Sequence, residues 1–268
     1  LRTSHYACHV ATRPSPAAAA RAAVSAAGAM TRSIEQVLLA NITAARGDQD
    51  GKTDGRKLRW EQHRLTRRTD LIDGAIGAVH ELGADVGMDD IATHIGVSKT
   101  VLYRYFTDKN DLRLAMAARI FESTILPRLT SAITDDADEY SLTRTVIEVY
   151  VTSVADEPNL YRFALTSQSG DAMISADSEK LVIELITVLI TMRLTERGAD
   201  ISGVGVWAHA LVGSITRSVD WWMAEGGDSV GEVIDYLTMF VWSSIVGIVA
   251  VNGSREEFLA APPRITPP

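Results

Sequence analysis

One cysteine, Cys8, stands in 268 residues. It cannot close an internal disulfide or supply a thiolate-rich zinc site, so no metal centre is expected. With 8 prolines and 19 glycines the chain is neither collagen-like nor of low complexity, and a 46% hydrophobic content excludes a disordered protein. Strand signals are missing too. No alternating apolar run bounded by turn residues occurs, and no Ser-His-Asp, paired-carboxylate or Cys-His arrangement points to catalysis. No cofactor is implied. Residues 1–33 contain no acid at all and are rich in alanine (Ala17–Ala20, Ala22, Ala23, Ala26, Ala27). Leu1 opens the chain and Met30 precedes a new helical pattern, so residues 1–29 are expected to lie outside the fold.

Three phosphate- or metal-like stretches lack what their chemistry needs. Gly47-Asp-Gln-Asp-Gly51-Lys52-Thr53 is one residue short of a phosphate loop, and Asp48 and Asp50 would repel the ligand. Asp50, Asp54, Gly55 and Glu61 echo a calcium loop, but Lys52 occupies a ligand position. Gly203-x-Gly205-x-x-Ala208 follows a helical pattern where a dinucleotide turn needs a strand.

What the chain does have is charge asymmetry. Residues 1–128 carry 18 Lys/Arg and 14 Asp/Glu, whereas residues 129–268 carry 8 and 20. Residues 52–68 hold seven cations (Lys52, Arg56, Lys57, Arg59, Arg64, Arg67, Arg68) against Asp54 and Glu61. A basic front half tolerates a polyanion that the acidic back half repels.

Helical periodicity runs throughout. Ser33–Arg46 reads as a short helix, followed by the polar stretch Gly47–Gly55. Leu71, Ile72, Ala75, Ile76, Val79 and Leu82 then form one apolar stripe. Short helices are expected near 89–95 and 98–106, and a longer one from about Lys109. Further periodic segments fall near 141–155, 159–168, 178–197, 204–225 and 229–251, separated by polar or glycine breaks. Between Asp235 and Arg255 lie 19 uncharged residues, enough to approach a bilayer span. Thr238, Ser243, Ser244, Gly247 and Asn252 dilute them, so the segment reads as a covered helix of a bundle or dimer, with no membrane partner expected.

Residues 89–106 carry the functional signal. Ile91, Ala92 and Ile95 give a short first helix its apolar face; Gly96 supplies the turn, and Ser98 is placed as an N-cap accepting from Thr100 or Val101. Leu102 and Phe106 anchor a second helix, leaving Lys99, Thr100, Tyr103, Arg104 and Thr107 outward. Cations and hydroxyls there suit phosphate, and Arg104 is long enough to reach a guanine edge in the major groove. Lys109 is placed to hold the adjacent backbone. This helix-turn-helix resembles the DNA-binding domain of the TetR family of bacterial transcriptional regulators. The resemblance spans Leu71 to Leu112 and rests on Ile91-Ala92, Gly96-Val97-Ser98, Leu102-Tyr103, Tyr105-Phe106, Lys109 and Leu112.

The resemblance implies an all-α chain: an N-terminal three-helix helix-turn-helix domain, then a larger helical ligand-binding and dimerisation domain. Residues 1–55 are expected to be a disordered tail, 56–112 the DNA-binding domain, 113–254 the effector and dimerisation domain, and 255–268 a second tail. It places Ser98, Lys99, Thr100, Tyr103, Tyr105 and Lys109 on DNA, with Arg104 as base reader. Arg67 and Arg68 belong to a mobile basic arm, Arg56–Arg68, reaching phosphates or the minor groove. Gly87-Met88 replaces the threonine common before the second helix, removing one phosphate contact.

A two-fold four-helix interface is expected from Val230, Ile234, Leu237, Val241, Ile245 and Ile248 on one helix, with Trp207, Leu211, Ser214, Ser218 and Trp222 on another. Tyr150, Phe163, Trp207, Leu211 and Trp222 are expected around a hydrophobic small-molecule effector. Gly-Met-Asp-Asp-Ile-Ala and Val219-Asp220-Trp221-Trp222 look like regulators of lipid metabolism, implying a fatty acyl or acyl-CoA effector. The expected partners are therefore an operator in double-stranded DNA, a second copy of the chain, and that effector. The place of action is the bacterial cytoplasm, at the nucleoid. A helical lipid carrier or enzyme using the same cavity is the alternative.

Overall fold

The computed structural model describes residues 15–26, 28–29, 55–134, 136–165 and 176–263, and among them every regular element is a helix. α1 covers 16–26. Then come α2 (Gly55–Leu82), α3 (Met88–Ile95), α4 (Lys99–Tyr105) and α5 (Lys109–Ile120). A π-helical turn, Phe121–Ile125, joins α5 to α6 (Leu126–Ala132). The order is completed by α7 (Glu139–Asp156), α8 (Pro158–Leu165), α9 (Ala176–Glu196), α10 (Val204–Glu225), α11 (Val230–Ala250) and α12 (Arg255–Ala260). The expected helix Ser33–Arg46, the polar stretch before Gly55 and Cys8 lie outside the described residues.

The first core gathers α2 to α5 and one face of α8. Leu71, Ile72, Ala75 and Val79 of α2 are fully buried against Ile91, Leu102, Phe106, Leu112 and Met116, and Leu160 and Phe163 of α8 close the cluster. α3 starts at Gly87, whose N–H donates to Asp90 Oδ2 at 2.9 Å, and Asp89 and Asp90 sit at the positive end of its dipole. It stops at Gly96, which adopts φ 75°; Gly96 N–H donates to Thr93 and Val97 N–H to Ala92, the paired bonds of a glycine-terminated helix. The bend that aims α4 therefore follows from one left-handed residue. The π turn precedes Pro127, which has no N–H to return to the preceding turn, and the wider winding accommodates that loss.

The second core lies between α7, α10 and α11, built from Ile147, Val151, Val154, Leu211, Val219, Trp222, Val233, Ile234, Leu237 and Val241. This corrects part of the expected dimer seam. Leu211 and Trp222 of α10 and Ile234, Leu237 and Val241 of α11 pack inside the chain. The exposed apolar side chains are on other flanks: Val206 and Trp221 of α10, and Tyr236, Met239, Phe240 and Val246 of α11. A helix apolar on more than one side offers several stripes at the same spacing, and the tertiary fold decided which was covered. α11 is the one helix among the described residues long and apolar enough to cross a membrane. Here it packs along α7, with Tyr140 edge-on to Trp242 at 5.5 Å and Arg144 paired with Asp235 at 2.6 Å.

Both expected tails contain folded parts. In α1, Ala17 and Ala20 pack on Ile133, and Arg21 donates to the Ile133 carbonyl at 3.0 Å. Ser254 caps α12 by accepting from Glu257 N–H at 3.1 Å. α2 is helical from Gly55 onward, so the basic run from Arg56 is carried on a continuous helix rather than on a mobile arm. At Gly96 an added methyl meets nothing within 4 Å, but its φ is one that side-chain-bearing residues resist. Gly96→Ala is therefore expected to lower unfolding stability by about 1 kcal/mol, read by urea denaturation.

Candidate nucleic-acid interface

α4 buries Leu102 alone among its own residues, and Phe106 just beyond it is 1% exposed. Leu102 and Phe106 lie one turn apart and fix which side of this seven-residue helix faces the core. Ser98, Lys99, Thr100, Tyr103 and Arg104 are thereby presented to solvent, Tyr103 with 44% of its surface. Ser98 has the extended backbone of an N-cap, but its hydroxyl makes no capping bond; Val101 N–H donates to the Ser98 carbonyl at 2.8 Å. The hydroxyl is thus left on the exposed surface. Lys99 donates to Asp89 Oδ2 at 2.7 Å, bracing the start of α4 against the start of α3, and this bond holds its ammonium above the ordinary lysine value.

Three of the expected DNA contacts are not fully exposed. Arg68 is 2% exposed: its guanidinium lies over the Phe106 ring at 4.8 Å and pairs with Asp111 Oδ1 at 3.3 Å. It is an internal strut, not an arm residue. Tyr105 is half-buried against the first core. Lys109, half-buried at the start of α5, has its Nζ 5.1 Å from the Phe163 ring centroid, so its ammonium is engaged with α8. Arg67 stays on the surface, 4.0 Å from Asp70.

The sequence reading missed Asp111. Its other oxygen accepts from Thr107 N–H at 2.9 Å and from Thr107 Oγ1 at 3.4 Å, while its own N–H donates to the Asp108 cap at 2.8 Å. One buried carboxylate thus joins α2, the turn after α4 and the first turn of α5. The Asp108-x-x-Asp111 spacing announces a helix start, but nothing in it names Arg68 as the partner.

On the other side of α8, Tyr150 donates to Tyr161 Oη at 3.0 Å and Tyr161 donates to Asp220 Oδ1 at 2.9 Å. Burial, then Tyr150 and Asp220, push the Tyr161 phenol far above its ordinary value. Burial also raises the Asp220 carboxyl, against the Tyr161 bond and Arg217. Of the expected effector residues, Tyr150, Leu211 and Trp222 meet in this second core, where Trp222 Nε1 donates to the Asp228 carbonyl at 2.9 Å. The other two lie elsewhere. Phe163 belongs to the first core, and Trp207 packs at the turn joining α9 to α10, against Gly203 and Gly253.

Removing one partner of the Arg68–Asp111 pair leaves a buried charge unmatched, so Arg68→Ala is expected to cost about 3–5 kcal/mol in chemical unfolding. Asp220→Asn keeps the acceptor for Tyr161 and removes a charge that burial disfavours. The raised folded value of Asp220 means that the wild type loses stability as pH rises above the usual aspartate range. The variant is therefore expected to melt higher than wild type at pH 7.5, with the difference shrinking toward pH 4 in scanning calorimetry.

Residues 71–116 match the family described as bacterial regulatory proteins, tetR family. An HTH-type transcriptional regulator of Mycobacterium tuberculosis is 45% identical over 212 residues, covering 79% of this chain and 91% of that protein. The HTH-type transcriptional activator FasR of Mycolicibacterium smegmatis is 25% identical over 190 residues, covering 69% of this chain and 84% of its own length. The fold resembles that of the fatty acid degradation regulator FadR from Bacillus halodurans, with a TM-score of 0.50 at 15% identity over 65% of this chain and 94% of that one. A buried core beneath an exposed α4, together with this level of identity over most of the chain, identifies the protein as a member of the TetR family of bacterial transcriptional regulators.

Proposed function

We propose that the chain is a ligand-responsive repressor that binds a palindromic operator as a homodimer in the bacterial cytoplasm and leaves it when a hydrophobic effector binds. The observation that carries this reading is the outward face of α4, where Ser98, Lys99, Thr100, Tyr103 and Arg104 stand on a base fixed by Leu102, Phe106 and the Arg68–Asp111 pair. In this reading residues 56–112 form the DNA-binding domain and 113–254 the effector and dimerisation domain. Tyr103, Thr100 and Lys99 hold phosphates and Arg104 reads a base edge, once in each of two half-sites about one helical turn or a multiple apart.

The exposed apolar flanks of α10 and α11, with Trp221, Tyr236, Met239 and Phe240, favour a symmetric contact with a second copy. The effector enters the second core beside Tyr150, Leu211 and Trp222. A fatty acyl chain or acyl-CoA fits that apolar setting and the lipid-regulator look of Val219–Trp222. Effector and operator favour different dimer shapes, and DNA affinity changes by the effector's differential affinity for them. The M. smegmatis relative is named an activator, which favours activation as the second reading; a promoter reporter in cells with and without the gene separates the two.

On a gel-shift titration of the upstream region, Tyr103→Ala is expected to weaken binding by about tenfold or more, and wild-type binding to fall steeply with added salt. Met239→Glu is expected to give a monomer in sedimentation experiments and to lose the two-site complex. DNA binding insensitive to Tyr103, or a dimer unaffected by Met239, would remove the corresponding half of the proposal.

A further inference from the structure

Lys109 and Arg113 lie one turn apart on α5 and face the same ring. The Lys109 Nζ is 5.1 Å and the Arg113 Cζ 5.4 Å from the centroid of Phe163, itself 1% exposed. Arg113 is 7% exposed, and its buried Nε and Nη1 donate to nothing. No carboxylate among the described residues pairs with either cation. Two like charges at i and i+4 repel, and a ring face is a weak substitute for an anion. The groups respond accordingly: burial lowers Arg113, and burial together with Arg113 lowers Lys109, opposed by the charges of Asp85 and Asp90. Arg68, buried in the same domain, also leaves its Nε and Nη1 without a bond, but it has the Asp111 carboxylate beside it, and Arg113 has no such anion.

A buried cation with unbonded donors and no anion beside it is a place that a ligand's anion can complete. We propose that the contact of α5 with α8 is a binding site for the anionic head, carboxylate or phosphate, of a small amphipathic molecule held between Lys109 and Arg113. The apolar tail rests on the effector reading above, whereas the head-group site stands on these two cations alone. Arg113 is covered, so an anion that reaches it must be small enough to enter beside Phe163. A head group taken here also engages Lys109, one of the positions that the family pattern assigns to DNA.

Isothermal titration of the full chain at constant ionic strength with octanoate, octyl phosphate and octanol tests the site. At least one anionic probe is expected to bind wild type at least tenfold more tightly than octanol. Arg113→Met should bring it to within about twofold of octanol, and Arg113→Lys should restore part of the preference. Lys109→Gln should reduce it at least threefold. Arg113→Met removes an unmatched buried charge and is expected to melt no lower than wild type; if it does not fold, Lys109→Gln decides. Anionic probes that bind no better than octanol, or a preference that survives Arg113→Met, would overturn the site. So would Arg113→Met weakening operator binding while probe affinities stay unchanged, which would assign the cations to DNA. Loss of operator binding in wild type, with the anion preference intact, would sink the repressor reading and leave the site standing.

Discussion

The Arg68–Asp111 pair is the constraint on which the DNA-facing surface depends. A seven-residue helix cannot hold itself in water, because the cost of its nucleus is never recovered over so few bonds. α4 is therefore positioned entirely by what flanks it: the Gly96 turn before it, Leu102 and Phe106 beneath it, and the Thr107–Asp111 turn after it. Arg68 touches two of these supports at once, stacking under Phe106 and binding the carboxylate that holds Thr107. A buried ion pair adds little net stability over a well-packed apolar substitute. Its contribution here is directional. It allows one relative placement of α2, the end of α4 and the start of α5, since another leaves a charge in the core without a partner.

α8 stands between the two cores and belongs to both. Leu160 and Phe163, three residues apart, close the first core, whereas Tyr161 between them reaches back to Tyr150 of α7 and Asp220 of α10. One short helix thus carries an apolar wedge on one side and a phenol held by two hydrogen bonds on the other. A molecule that repacks the neighbourhood of Tyr161 acts on the element that also holds α5, and α5 continues from the turn that ends α4. The same helix presents Phe163 to Lys109 and Arg113, so charge on α5 and packing in the second core meet at a single element.

Legibility from sequence differed between the two halves for a physical reason. Helices 89–95, 204–225 and 229–251 were readable nearly to the residue, because caps and breakers such as Gly96, Gly226 and Ser229 act locally. The outward set on α4 was readable too, since two buried anchors four apart on a short helix leave one exposed side. The effector-domain faces were not. α10 and α11 carry apolar residues around much of their circumference, and only the placement of α7 and α10 against α11 reveals that Ile234 and Leu237 are core while Tyr236 and Phe240 are surface. Likewise, Phe163 and Trp207 share the composition of Tyr150 and Trp222 but lie in different places.

The sequence by itself determined the helices, the turn that makes a helix-turn-helix and the resemblance to a family. Each of these depends on interactions within a few residues. Only the tertiary structure decided that Arg68 is a strut rather than an arm, that Tyr161 and Asp220 are joined, and that Lys109 and Arg113 converge on Phe163 without an anion. Those pairings link residues distant along the chain, and the charge or ring of one partner carries no mark of the other until folding removes the water between them.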